Sequence, residues 1–210
     1  MMGAMTSYFI EACCPDIESV CHAVEAGAGR IELCEELEVG GITPSPARIR
    51  SALAAAGSVP VNVLIRPRGG DFVYSAAEVG QMLSSVRACK SAGVHGVVIG
   101  ALKADGSVDV ETVSKLVREA GSLDITFHRA FDESADLKKA LEDIIRLGIK
   151  RVLTSGGCPT AYEGRFALRE LVLQSAGRIS IMPGCGVRAS NIDEIASVTG
   201  AKEFHGSRLL

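Results

Sequence analysis

At 210 residues and 47% hydrophobic content, the chain is sized for one domain with a sizeable core, residues 1–210, and leaves little room for a second. A formal charge of −3 with both signs interspersed, and an aromatic set of three Tyr, six Phe and no Trp, exclude the basic stripe and stacking platforms of a nucleic-acid binder. No uncharged run approaches the roughly 18 apolar residues of a membrane span, and seven cysteines, an odd number scattered along the chain, suit free thiols in a reducing, cytoplasmic setting.

The start MMGAMTSYF lacks the basic segment and apolar stretch of a signal peptide, and its first five residues are set aside from the fold reading. The first predicted strand is SYFIEAC, and after it helix-like runs close on glycine seven times, at Gly27, Gly57, Gly93, Gly121, Gly148, Gly177 and Gly200. Each glycine is followed by a short apolar strand: RIELC, VPVNVLIR, VHGVVIGAL, DITFHRA, KRVLTS, RISIMPG and KEFHGS. Between them, one apolar stripe recurs per helix, as in Ile17, Val20, Cys21 and Val24 or Leu137, Ala140, Leu141 and Ile144. Eight strands alternating with seven helices predict an α/β fold, a (β/α)8 TIM-type barrel of eight parallel strands. The chain stops at Leu210 directly after the eighth strand, so the final helix is expected to be missing or truncated. The apolar face left bare is expected to be covered in a homo-oligomer, a dimer or larger.

In such a barrel the chemistry sits where strands end. Alternation places Ile31 and Leu33 outward and turns Glu32 and Cys34 inward. The same parity puts Glu11 and Cys13 inward on strand one, with Cys14 outward as packing, Thr126 and His128 inward on strand five, and Glu203, His205 and Ser207 inward on strand eight. Glu11, Cys13, Glu32 and Cys34 thus form two carboxylate and thiol pairs on neighbouring strands about 4.8 Å apart. Two soft sulfurs suffice for a low-coordinate Cu(I) ion, although buried cysteines also fill space without a ligand. Carboxylates inside a barrel need cations or a bound ligand.

Downstream, Arg66 and Arg68 share a parity in IRPRGGDFVYS, with Asp71 opening the loop, and paired arginines offer planar forks to a carboxylate or phosphate. The alternative is that Arg66 neutralises Glu32 or Glu11. The long loops 34–46 and 68–75 are placed to cover a site. His128 in FHRAFD is a candidate acid, base or ligand, His205 a further one, while His22 and His95 read as structural. The glycine-rich exits of the last strands, Gly184, Gly186 and Gly206, with Ser155 in LTSGG, make a candidate anion site of backbone donors.

The segments IELCEELEVGGITPS, IRPRGGDFVYS, ITFHRAF, RVLTSGG, IMPGCGVR and KEFHGS, together spanning Phe9 to Ser207, closely resemble the CutC family, described as copper homeostasis proteins. The resemblance implies the same barrel and a copper role, with the family's proposed ligands falling on Cys13 of EAC and Cys34 of IELC. Cys185 stands where the family usually has glycine, Gly206-Ser207-Arg208 replaces a small-residue ending, and the family's further C-terminal segment is absent. Two functions follow. One is a cytoplasmic copper protein holding Cu(I) on Cys13 and Cys34. The other is a barrel enzyme acting on a small anionic, possibly phosphorylated, metabolite through Arg66, Arg68, Asp71, Glu11, Glu32, His128 and His205.

Overall fold

Short polar caps and glycine stops set the helices apart from the strands they connect. Asp16 accepts from the backbone N–H of Ser19 in a reciprocal capping box and starts α1 (Ile17–Glu25), Ser45 caps α2 (Pro46–Ala56), Ser75 caps α3 (Ala76–Ala92), Asp109 caps α4 (Val110–Ala120), and Asp136 caps α5 (Leu137–Arg146). The remaining helices are α6 (Arg165–Ser175) and α7 (Ile192–Thr199). The computed structural model describes residues 8–209, so Ser7, the expected start of the first strand, lies outside the described residues. At Gly93, φ +79 closes α3 in a left-handed turn that a side chain would strain.

The strands are β1 (Phe9–Cys14), β2 (Arg30–Leu33), β3 (Val61–Leu64), β4 (Gly96–Ile99), β5 (Asp124–Phe127), β6 (Arg151–Thr154), β7 (Ser180–Pro183) and β8 (Glu203–Gly206). All neighbours pair in parallel in the order β7-β6-β5-β4-β3-β2-β1-β8, and β7 lies beside β8 to bring the ring round. The expected (β/α)8 barrel is therefore observed. Among the described residues no helix follows β8, and no helix is long and apolar enough to cross a membrane.

Alternation divides the apolar side chains into two layers. Ala12, Cys14, Ile31, Leu33, Val61, Val63, Val97 and Phe204 belong to the large core between strands and helices. A separate small cluster inside the barrel holds Cys13, Cys34, Leu64 and Val98. Lower in the interior the packing is ionic rather than apolar. Arg30 is paired with Glu11 and lies 2.9 Å from Glu203, while Arg151 reaches Glu203 at 3.3 Å and Asp124 at 3.7 Å. Alternating signs along this row offset a desolvation cost of several kcal/mol per buried ion, which no single pair would recover. Asn62 shares this interior, and Gly96 leaves its space: a Cβ there would stand 2.4 Å from Asn62 Oδ1. This polar floor supports the mouth above it.

Candidate functional site

Parallel register brings β1, β2 and β8 side by side, and three inward side chains meet where these strands end. Cys13 lies level with Glu32, and Glu11 with His205. One ligand atom from each of Cys13, Glu32 and His205 lies within 4.8 Å of the others. The Cys34 Sγ is 3.9 Å from the Cys13 Sγ, and both thiols are buried. Glu11 sits beneath, fully buried, with one oxygen on Arg30 and the other 2.9 Å from His205 Nδ1. It anchors the histidine and leaves His205 Nε2 toward Glu32 Oε1, 4.0 Å away.

Charge and burial tune these groups unequally. Burial raises the Glu11 carboxyl, but the His205 hydrogen bond and the Arg30 charge outweigh it and hold it down to about 2. Glu32 has no such partner, and burial pushes it up to about 7 against the pull of His205. Burial also depresses His205, yet the Glu32 and Glu11 carboxylates prevail and raise it. The Cys13 thiol is pushed well above its usual range by its bond to Cys34, by burial and by the Glu32 charge, so it rests as a thiol until something displaces the proton.

Above this cluster opens a cavity of about 700 Å³ whose wall includes Cys13, Glu32, Arg66, His128 and His205, together with the loops after β7 and β8. His128 follows β5 and caps a 3-10 turn, its Nδ1 accepting the Ala130 N–H at 3.1 Å. Burial and the nearby Arg66 charge lower it to about 3, so the ring stays neutral with its proton on Nε2. The ring fits only because Gly100 lacks a side chain, since a Cβ there would stand 2.4 Å from His128 Cε1.

Several sequence candidates are placed elsewhere. Arg68 and Asp71 pair with each other at 2.9 Å on the exposed loop after β3, Arg68 also reaches Glu78, and neither residue lines the cavity. The parity that Arg68 shares with Arg66 does not survive, because β3 ends at Leu64 and the chain turns before Arg68. Arg66 does not neutralise Glu11 or Glu32; Arg30 takes the Glu11 carboxylate. Its signal was available, because Arg30 has the same parity as Glu32 and Cys34 in RIELC. Gly186 and Gly206 line the mouth, whereas Gly184 packs on Leu153, where a Cβ would stand 2.4 Å away. Ser155 is likewise committed. Its N–H, with that of Gly157, serves the chain's own Asp132 carboxylate, so this amide nest is already filled. Arg129, Arg188 and Arg208 line the mouth without having stood out in the sequence, since each lies in a loop where no period marks direction.

The CutC family model matches residues 8–209. A CutC family protein of Parabacteroides distasonis is 48% identical over 198 residues, covering 94% of this chain and 82% of the relative. One from Xylella fastidiosa strain Temecula1 is 48% identical over 208 residues, covering 98% of this chain and 76% of the relative. The solved CutC of Streptococcus agalactiae, described in connection with copper homeostasis, superposes with a TM-score of 0.93 at 32% identity, covering 97% of this chain and 100% of that one. An aldolase, QR15, superposes with a TM-score of 0.69 at 19% identity over 99% of this chain and 92% of its own, a likeness of fold alone.

Proposed function

The chain belongs to the CutC family, and from that premise we propose that it binds and hands on Cu(I) through Cys13 and Cys34. The observation that carries this reading is the 3.9 Å separation of the two Sγ atoms, one of them in the wall of an open mouth. Thiolates select Cu(I) over hard cations, and two sulfurs satisfy its low coordination. Cys13 opens to the cavity and receives the ion, and Cys34 completes the pair from behind. His205 Nε2 and Glu32 stand within reach as further donors. Glu11 fixes the His205 ring through Nδ1, the arrangement that orients a ligating histidine for a metal. Binding drives protons off the thiols, so affinity rises with pH.

The same reading places the protein in the cytoplasm, where its seven free cysteines stay reduced. It also includes a homo-oligomer, supported by Phe166 and Leu173, which stand exposed seven residues apart on α6. A concentration-independent monomer mass by light scattering would remove that part alone. The test of the function is an anaerobic Cu(I) competition titration against a calibrated chelator, comparing the protein with a folded Cys13→Ser, Cys34→Ser variant. Tight binding abolished in the variant is the expected result; weak binding, or binding the variant retains, refutes the proposal.

A further inference from the structure

Two buried donors in the wall of the mouth lack acceptors. Arg66 is 6% exposed, and its guanidinium donates to the carbonyls of Val39 and Gly41 at 3.0 Å and of Gly70 at 2.6 Å. Those carbonyls solvate the cation without neutralising it. Among the described residues no carboxylate pairs with Arg66, and its Nε has no partner. His128 is 4% exposed, and its Nε2, which carries the proton, is also unpartnered. The two side chains flank Phe72, the guanidinium 4.8 Å and the imidazole 4.9 Å from its ring centroid.

Other buried cations in this barrel are treated differently. Arg30 and Arg151 each face carboxylates. A stranded buried N–H and an uncompensated buried charge each cost stability, and a ligand that accepts from the one and offsets the other recovers that cost. At the rim, the exposed Arg188 and Arg208 add positive charge, and neither guanidinium has a hydrogen-bond or ion-pair partner among the described residues. The cavity, about 700 Å³, is within the size range of small-molecule sites.

We propose that the mouth contains a second site, for a small organic oxyanion: one carboxylate or phosphate oxygen accepts from His128 Nε2–H, the charge of the group offsets Arg66, and Arg188 and Arg208 draw it in. The donors come from the ends of β3 and β5 rather than from β1, β2 and β8, so this site is separate from the copper reading and does not depend on it. It replaces the fork of Arg66 with Arg68, which the fold pulls apart.

The experiment is calorimetric titration of the metal-free protein with malonate and, separately, with inorganic phosphate, alongside His128→Asn and the Cys13→Ser, Cys34→Ser variant. Asparagine keeps an oxygen to receive the Ala130 N–H and withdraws the ring donor. Saturable binding of one probe is expected, weakened about tenfold or more by His128→Asn and unchanged by the cysteine variant. Saturation by malonate alone assigns a carboxylate ligand, and by phosphate alone a phosphoryl one. No saturation by either probe, or equal binding by His128→Asn, overturns the proposal. Should His128→Asn not fold, nitrogen-15 spectra of the wild-type histidines decide: the His128 Nε2 resonance must move as the probe saturates, and a stationary signal overturns the site. Anion binding without Cu(I) binding would sink the copper reading alone.

Discussion

Removing Arg30 should be the most damaging single change to the barrel floor that leaves the mouth's own residues in place. In Arg30→Met the fully buried Glu11 loses its guanidinium and keeps only the 2.9 Å contact with His205, while Glu203 still has Arg151 at 3.3 Å. Breaking a buried pair from one side costs about 3–5 kcal/mol because a charge is left uncompensated. At about 2–4 °C per kcal/mol for a domain of this size, the melting temperature falls by about 6–20 °C. Urea unfolding at neutral pH measures the loss directly. Adding Glu11→Gln removes the orphaned charge, so the double variant should recover a substantial part of the stability. Acid pH supplies a second reading of the same pair. The Glu11 carboxyl is held down to about 2 in the folded protein against 4.5 ordinarily, so its contribution is complete above about 4.5 and disappears as pH falls toward about 2. That acid-side loss should shrink in Arg30→Met. A cost below about 1 kcal/mol, or a double variant no more stable than the single one, would refute the claim that this ion row holds the floor together.

The alkaline side should behave in the opposite sense. Glu32 is raised from 4.5 to about 7 and His205 is raised as well, so the stability tied to their protonated forms is present at low pH and declines as pH rises through neutrality; chemical unfolding from about pH 5 to pH 9 should show the decline, and it should be reduced in His205→Asn. Gly100→Ala places a Cβ 2.4 Å from His128 Cε1 and should cost about 1–3 kcal/mol by urea unfolding while shifting the His128 ring resonances; an unperturbed ring would contradict the packing described. Arg68→Ala, altering a loop outside the cavity, should leave Cu(I) affinity and malonate or phosphate binding at wild-type values, and a loss of either would return Arg68 to the mouth.

Much of this protein is written locally. Capping residues, glycine stops and apolar runs define the βα units, because helix ends and short buried strands depend on neighbours within a few positions. Two-residue alternation separates Cys13 and Cys34 inside the barrel from Cys14 outside it, as the pleat requires. Alternation loses its authority where a strand ends, which is why Arg66 stays at the mouth and Arg68 leaves it. Partners remote in sequence carry no local mark at all. Glu11 meets Arg30 only because β2 lies beside β1, and His205 only because β8 closes against β1, a contact across 194 positions. Asp132 occupies the amides of Ser155 and Gly157 because β5 and β6 are adjacent, not because of any motif. The barrel and the direction of its strand side chains are legible in the chain alone, since both follow from short-range sterics and burial. Which charges pair, which amides are already filled, and which donors remain unmatched were decided only by tertiary structure, because electrostatic compensation depends on distance in space rather than separation along the chain.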